Sequence, residues 1–448
     1  MKLSVTQISE LLLGNQVGEH RHAEAEITGF SVDTRTLQPG DLFFALRGEN
    51  HDGNAYIEQA LELGASAVIA ERPADGPVIL VPDALKALQQ LAAWARLRWA
   101  GDVIGVTGSA GKTSTKEVIA SLLSTSMPVG KTAGNFNNHV GLPLSILRLP
   151  DSARVAVLEI GMNHAGEIRT LAEIARPRVA VVTNVGYAHI EGFDSIDGIA
   201  AAKRELVESL PADGVAVLNA DDHRVLEFRN VHPGRTITYG LSEQAEVRAT
   251  AVEFFAQGAR FCVGPTSFET ELTGRHGISN ILAGIAVAGR YGIAPERLQS
   301  AVRELKPGRM RGERTRWKGM TILNDCYNSN PDAARAMLDV LRDTPANRHI
   351  AVLGEMLELG RWSESLHRSV GHYATESGIS VLVGIRGAAR KMVDAAIEAG
   401  LQSSAAFFFE DPIPAGDQLR LIAQAGDAIL FKGSRGTRVE LALERFLS

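Results

Sequence analysis

Along the chain, short runs of consecutive apolar residues alternate with longer stretches in which apolar residues recur every third or fourth position. The first pattern is that of a strand buried on both faces, the second that of a helix with one apolar stripe. Near the start, helices are predicted around Gln7 to Leu13 and over Tyr56 to Leu63, with a turn at Gln38-Pro39-Gly40 and a strand at Ala67 to Ala70. A helix from Ala84 to Trp99 then leads into the apolar strand Val103 to Val106, and a new domain starts near Pro82. Beyond it, Val155 to Ile160, Val179 to Thr183 and Val215 to Asn219 read as strands, with helices at Ile168 to Ala175 and Ile199 to Leu210. Such alternation makes a mostly parallel sheet with helices on both faces. A strand-rich section from Arg235 to Phe268 gives way to a helix at Ile281 to Tyr291, and Lys306-Pro307-Gly308 marks a second boundary. The remainder alternates again, with strands at Met320 to Leu323, His349 to Leu353, Ser380 to Val383, Ala405 to Phe409 and Ala428 to Phe431, and a helix at Pro331 to Leu341.

The fold class predicted is α/β in three domains: a small α/β domain over residues 1–81, a central P-loop domain with a mostly parallel sheet over 82–307, and a Rossmann-like α/β domain over 308–448. A length of 448 residues agrees with this, at roughly 150 residues per domain. Hydrophobic types make up 45% and charged residues 22%, the balance of a globular protein rather than of a disordered or collagen-like one. Lys and Arg number 46 against 52 Asp and Glu, a net −6, so no cationic surplus drives nucleic-acid binding and any anion must be gripped locally. Two cysteines, Cys262 and Cys326, form no disulfide framework and point to a reducing compartment. The first residues carry only a three-leucine apolar run, too short for a secretory signal, and the uncharged stretch Thr132 to Leu147 is broken by Asn135, Asn137, Asn138, His139 and Pro143. A cytoplasmic protein with no membrane span is expected.

The strongest chemical signal is Thr107-Gly108-Ser109-Ala110-Gly111-Lys112-Thr113-Ser114-Thr115, which runs from a strand end into a helix start. Glycines let backbone N–H groups close around phosphate oxygens, and the helix adds its positive N-terminus. Lys112 would reach the β- and γ-phosphates and Thr113 would place its hydroxyl on Mg²⁺. Gly105 lies one residue too early for the general P-loop spacing, which narrows the choice of nucleoside triphosphatase family. Glu159 ends an apolar strand and is the natural second metal ligand. His189 follows the C-terminal end of another, where a neutral imidazole can bind metal. Spacing alone reads Lys203, on the next helix, as a surface lysine with its stem lying along the protein.

Together these motifs resemble the Mur ligase family, ATP-dependent amide ligases of peptidoglycan precursor synthesis, and the resemblance spans nearly the whole chain. Thr107 to Thr115 is similar to the family's phosphate loop, glycine spacing included, so Gly108, Ser109, Ala110, Gly111, Lys112, Thr113 and Ser114 are the expected nucleotide contacts. Glu159-Ile160-Gly161-Met162-Asn163 resembles the metal-binding glutamate and its flank, and Thr183-Asn184-Val185-Gly186 with His189 the segment whose histidine binds a second Mg²⁺. Lys203 falls where the family has a lysine carbamylated by CO₂, which replaces the surface reading with a metal-ligand one. His276-Gly277-Ile278-Ser279-Asn280 resembles the adenine-side motif with Gly277 in place of an asparagine, leaving Asn280 as the base contact. Pro307-Gly308-Arg309-Met310-Arg311 resembles the hinge into the third domain, with Arg309 on the γ-phosphate. In Asp325-Cys326-Tyr327-Asn328-Ser329-Asn330-Pro331, Asp325 would hold the ribose, with Tyr327 and Asn328 near the reacting groups.

On the substrate side, Gly134-Asn135-Phe136-Asn137-Asn138 resembles a substrate-facing segment, giving Asn135, Asn137 and Asn138. Asp33-Thr34-Arg35 and Pro39 to Leu46 resemble the uridine-nucleotide region, giving Ser31, Thr34, Arg35, Phe44, Ala45 and Leu46, although a plain β-turn-β element fits the same residues. Glu355-Met356 and Lys432-Gly433-Ser434-Arg435 are further third-domain signatures, and Gly433-Ser434 reads equally as a helix start. The resemblance implies ATP and two Mg²⁺ ions. Its branch joins D-alanyl-D-alanine to UDP-N-acetylmuramoyl-tripeptide through an acyl phosphate, and a monomer is favoured. Lys112, Lys203, His189, Arg309 and Asn328 are the expected catalytic set. The alternatives are a ligase adding a single amino acid, a folylpolyglutamate-type ligase, and a P-loop switch that makes no bond.

Overall fold

The computed structural model describes residues 3–13, 15–17, 25–48 and 51–448. Besides a two-stranded pairing of Leu3–Ser4 with Glu26–Ile27, three larger sheets lie in chain order, as the alternating pattern predicts. The first has five strands, ordered Asn15–Val17, Val78–Leu80, Ala67–Ala70, Asp41–Phe44 and Gly29–Ser31, and is parallel except for its Asn15–Val17 edge. The last has six, parallel except for the hairpin of Glu313–Trp317 with Met320–Asp325. Among the described residues no helix is long and apolar enough to cross a membrane.

The central sheet has nine strands. Its core strands, Asp102–Thr107, Val155–Glu159, Val179–Val182 and Val215–Asn219, are near-continuous apolar runs because helices cover both faces. The strand-rich section from Arg235 belongs to this sheet: Arg235–Gly240 pairs parallel with Val215–Asn219, and an antiparallel meander continues to Thr266–Thr270. Strand Asp102–Thr107 sits between Val155–Glu159 on one side and Val179–Val182 on the other. The chain crosses from one side to the other there, and a crevice opens outside the carboxyl ends of strands at such a switch point. Thr107, Glu159 and Thr183 therefore arrive at one edge through topology alone.

Element ends shift by a few residues in several places, and two differences bear on the site. Helix Gly274–Arg290 begins seven residues before Ile281, because Gly274, Gly277 and Ser279 interrupt the apolar stripe in its first two turns. The shift puts His276 and Asn280 four residues apart on one helical face. The uncharged Thr132 to Leu147 stretch contains helix Gly141–Leu147, buried at all seven positions. Asn138 Oδ1 accepts from the backbone N–H groups of Val140 (3.2 Å) and Gly141 (2.9 Å) at its start, and Pro143 sits in the first turn.

Candidate active site

Gly108 (φ +149°) and Gly111 (φ +79°) turn the chain from strand Asp102–Thr107 into helix Lys112–Ser124. Gly111 lies in a region costly to other residues, and a Cβ there would stand 3.0 Å from Asn280 Oδ1. The loop is pinned from the next strand's end. Ala110 N donates to Asn184 Oδ1 (2.8 Å), Thr183 Oγ1 donates to Ala110 O (2.6 Å), and Ser109 Oγ donates to Gly186 O (2.9 Å). Lys112 Nζ donates to Gly108 O at 2.8 Å. Burial holds the Lys112 ammonium below its ordinary range, with Glu159 opposing and Arg311 adding to the shift.

Glu159, 2% exposed, joins two sequence-distant pieces. Its Oε2 accepts from Thr113 Oγ1 at 2.8 Å and its Oε1 from Asn137 Nδ2 at 2.7 Å. The phosphate-loop hydroxyl and the 134–138 segment thus meet on one carboxylate. Those hydroxyl and carboxylate oxygens are hard donors of the kind Mg²⁺ takes. Among the described residues no group of three or more His, Cys, Asp and Glu forms a metal cage.

His189 has a left-handed backbone (φ +62°), as has Glu358 (φ +62°) in the third unit, and Glu358 Oε2 lies 2.6 Å from His189 Nδ1. The imidazole beside it holds the Glu358 carboxyl below its ordinary range. Positive φ in non-glycine residues is uncommon, and two facing each other mark a junction where backbone strain is held by its surroundings.

The spacing-only reading of Lys203 as a surface side chain is overturned. Helix Ile196–Glu208 turns it inward, it is 1% exposed, and no hydrogen bond or ion pair reaches its amine among the described residues. Burial, with Lys112 nearby, pushes this amine well below the ordinary lysine range.

A cavity of about 2100 Å³ opens at this edge. It is lined by Ser109 to Ser114, Asn135, Asn137, Asn138, Glu159, His189, Asn280, Arg309, Asp325, Tyr327 and Asn328. Asn280 Oδ1 accepts from Thr115 Oγ1 (2.9 Å), which ties the adenine-side motif to the phosphate-loop helix. The departure at Gly277 has a packing reason: a Cβ there would come within 3.2 Å of Leu272. Lys432 Nζ donates to Asp325 Oδ2 (2.5 Å) and Asn328 O (2.9 Å), so the Lys432-Gly433-Ser434 stretch, Ser434 capping a short 3₁₀ turn, braces the Asp325 motif. Arg309 is exposed at the cavity, whereas Arg311 stacks on Tyr327 with its guanidinium 3.8 Å from the ring centre.

The uridine-region residues do not line this cavity. Ser31 is buried and exchanges hydrogen bonds with the Asp33 backbone, and exposed Arg35 folds onto Asp33 through two contacts of 2.9 and 2.6 Å. Thr34 and Leu46 are half-buried. The side chains of Phe44 and Ala45 lie in the apolar core, against the expectation that they face substrate. Neither Asp332 nor Glu358 is picked out by the sequence, and Arg311 enters only as the end of the hinge motif. Asp332 Oδ2 accepts from Tyr187 N (2.9 Å) across more than a hundred residues, a pairing no spacing rule reveals.

Residues 26–96 match the pattern described as the Mur ligase family, catalytic domain, residues 106–288 the Mur ligase middle domain, and residues 308–435 the Mur ligase, glutamate ligase domain. The UDP-N-acetylmuramoyl-tripeptide–D-alanyl-D-alanine ligase of Synechocystis is 38% identical, over 100% of this chain and 95% of that protein. The crystal structure of MurF from Acinetobacter baumannii superposes with a TM-score of 0.90 at 29% identity, covering 100% of this chain and 99% of that one. The MurF ligase of Thermotoga maritima, solved in complex with ADP, superposes with a TM-score of 0.83 at 30% identity, covering 93% and 96%.

Proposed function

The chain belongs to the Mur ligase family, and from that premise we propose that it joins D-alanyl-D-alanine to UDP-N-acetylmuramoyl-tripeptide using ATP. The observation that carries this reading is the single carboxylate of Glu159, on which the phosphate-loop Thr113 and the substrate-side Asn137 converge. A carboxylate that must attack a γ-phosphate needs both substrates fixed to one frame, and positioning of this kind supplies much of a phosphoryl-transfer rate.

A carboxylate and an amine do not condense in water. The terminal carboxylate oxygen of the tripeptide therefore attacks the γ-phosphorus of ATP, forming an acyl phosphate and releasing ADP. The dipeptide amine then attacks the acyl carbon, loses a proton, and expels phosphate. Lys112 and Arg309 set positive charge beside the transferring group. Asp325, held by Lys432, grips the ribose, and Asn280 presents its amide to the base. Asn328 and Tyr327 approach the reacting groups from the third domain.

Mg²⁺, bound at Thr113 and Glu159 with His189 at a second position, would neutralise phosphate charge. Lys203 fits a carbamate: burial disfavours its ammonium form, the neutral amine is the species that adds CO₂, and the product is an anionic oxygen ligand. Residues 1–81 bind the uridine nucleotide, 82–307 hold ATP, and 308–448 close over the site, excluding water from the acyl phosphate. We place the reaction in the cytoplasm, where ATP is supplied.

The test is phosphate release from ATP and Mg²⁺ with each co-substrate omitted in turn. Release requiring both, with a product one dipeptide heavier less water, is expected. Release indifferent to both identifies a P-loop ATPase or switch, and release supported by glutamate but not the dipeptide identifies a different ligase branch.

A further inference from the structure

Helix Lys112–Ser124 carries a lysine that none of the chemistry above uses. The side chain of Lys116 is 0% exposed, one turn after Lys112 and beneath the phosphate loop. An ammonium has three protons to donate, and here it meets three acceptors: Thr132 O at 2.8 Å, Gly134 O at 2.8 Å and Glu117 Oε1 at 3.1 Å. Glu117 is held in turn by Lys131. Burying a cation is unfavourable unless its partners are fixed in place, so such a lysine is an expensive choice for mere packing.

What the ammonium holds is the root of the 134–138 segment. Gly134 adopts φ +54°, which helps bring its carbonyl and that of Thr132 onto one point. From there the connection runs to the reacting edge by two routes. Thr132 Oγ1 accepts from Glu159 N at 3.0 Å, and Asn137, three residues past Gly134, holds Glu159 Oε1 and accepts from Gly161 N at 2.8 Å. We propose that Lys116 is a positioning residue that fixes the tripeptide-binding segment to the phosphate-loop helix, setting the distance between the attacking carboxylate and the γ-phosphate. It touches neither substrate. The proposal rests on the ligase reading and on the 134–138 segment facing the tripeptide.

Its test is Lys116→Met, which keeps the stem and removes the three donors. Steady-state ligation would give KM for UDP-N-acetylmuramoyl-tripeptide and for ATP, and calorimetry the Kd for ADP. The tripeptide KM is expected to rise about tenfold, the equilibrium weight of one charge-assisted hydrogen bond, with ADP binding within about twofold of wild type. A merely structural lysine would lower the melting temperature and leave this split absent. Should Lys116→Met not fold, Gly134→Ala displaces the same carbonyl: the position is exposed, nothing lies within 4 Å of the added Cβ, and only the left-handed backbone resists. It is expected to raise the tripeptide KM in the same way. An unchanged tripeptide KM, or equal losses for tripeptide and ADP, overturns the role of Lys116. Wild-type protein that ligates nothing overturns the ligase reading instead.

Discussion

Gly186 packs directly against Asp332 of the third unit, and Gly186→Ala turns it into a wedge. Its N–H donates to Ser109 Oγ (2.7 Å) and its carbonyl accepts from the same hydroxyl, so it is one residue removed from the phosphates. A Cβ at 186 would stand 2.1 Å from Asp332 Oδ2 and 2.9 Å from Asp332 Cγ. No such contact survives, and because Gly186 is not in the left-handed region the strain is purely steric. Overpacking of this kind costs about 1–3 kcal/mol, which, borne entirely by the closed state that reacts, is a loss of about 5- to 150-fold in kcat/KM. Asp332→Ala alone removes the acceptor for Tyr187 N and costs about 1.5–3 kcal/mol, the range for hydrogen bonds to charged groups. If the sites were independent the two losses would add. Removal of the Asp332 carboxylate vacates the space that the new Cβ needs, so the double variant should fall within about 0.5 kcal/mol of Asp332→Ala alone, a coupling of about 1–3 kcal/mol. The assay is kcat/KM for ATP by phosphate release in all four proteins. Additive losses would refute the idea that Gly186 and Asp332 act through one shared contact.

Other consequences are more local. Lys203→Ala should abolish ligation, with partial recovery in short-chain carboxylic acids that return an oxygen ligand; full activity of the variant removes the carbamate from the mechanism. Cys326 is buried, and burial with Asp325 nearby pushes its thiol far up, so iodoacetamide at neutral pH should label the partly exposed Cys262 and spare Cys326 in peptide mass maps. Arg348 makes contacts of 3.0 and 2.7 Å to Asp427, whose side chain is buried, and Arg348→Ala leaves that carboxylate without a cation, held only by the Gln424 N–H at 2.8 Å. A loss of about 2 kcal/mol in unfolding free energy by denaturant titration is expected, and an unchanged midpoint contradicts it.

The three α/β units were legible because a strand buried on both faces reads as an apolar run, and Val215–Asn219 was located to the residue. The phosphate loop was legible because glycine, lysine and threonine follow a strand without a break. Helix Gly274–Arg290 was read late, since glycines that allow close packing also erase periodicity. Lys203 shows the limit most clearly: one cation on a helix of mixed polarity looks solvent-facing, and only the fold around it shows that it is buried. Lys116 and Asp332 escaped notice because their partners lie 16 and 145 residues away, and their roles depend on three-dimensional pairing. Phe44 and Ala45 went the other way, with a resemblance naming residues whose side chains the core has already claimed.

The central claim is that the tripeptide carboxylate is activated as an acyl phosphate. Its most direct test is ligation with the terminal carboxylate of UDP-N-acetylmuramoyl-tripeptide labelled with ¹⁸O, followed by mass analysis of both products. The account predicts one ¹⁸O atom in the released phosphate and one in the new amide carbonyl. Unlabelled phosphate would mean that water, not the carboxylate, attacks ATP, and would contradict it.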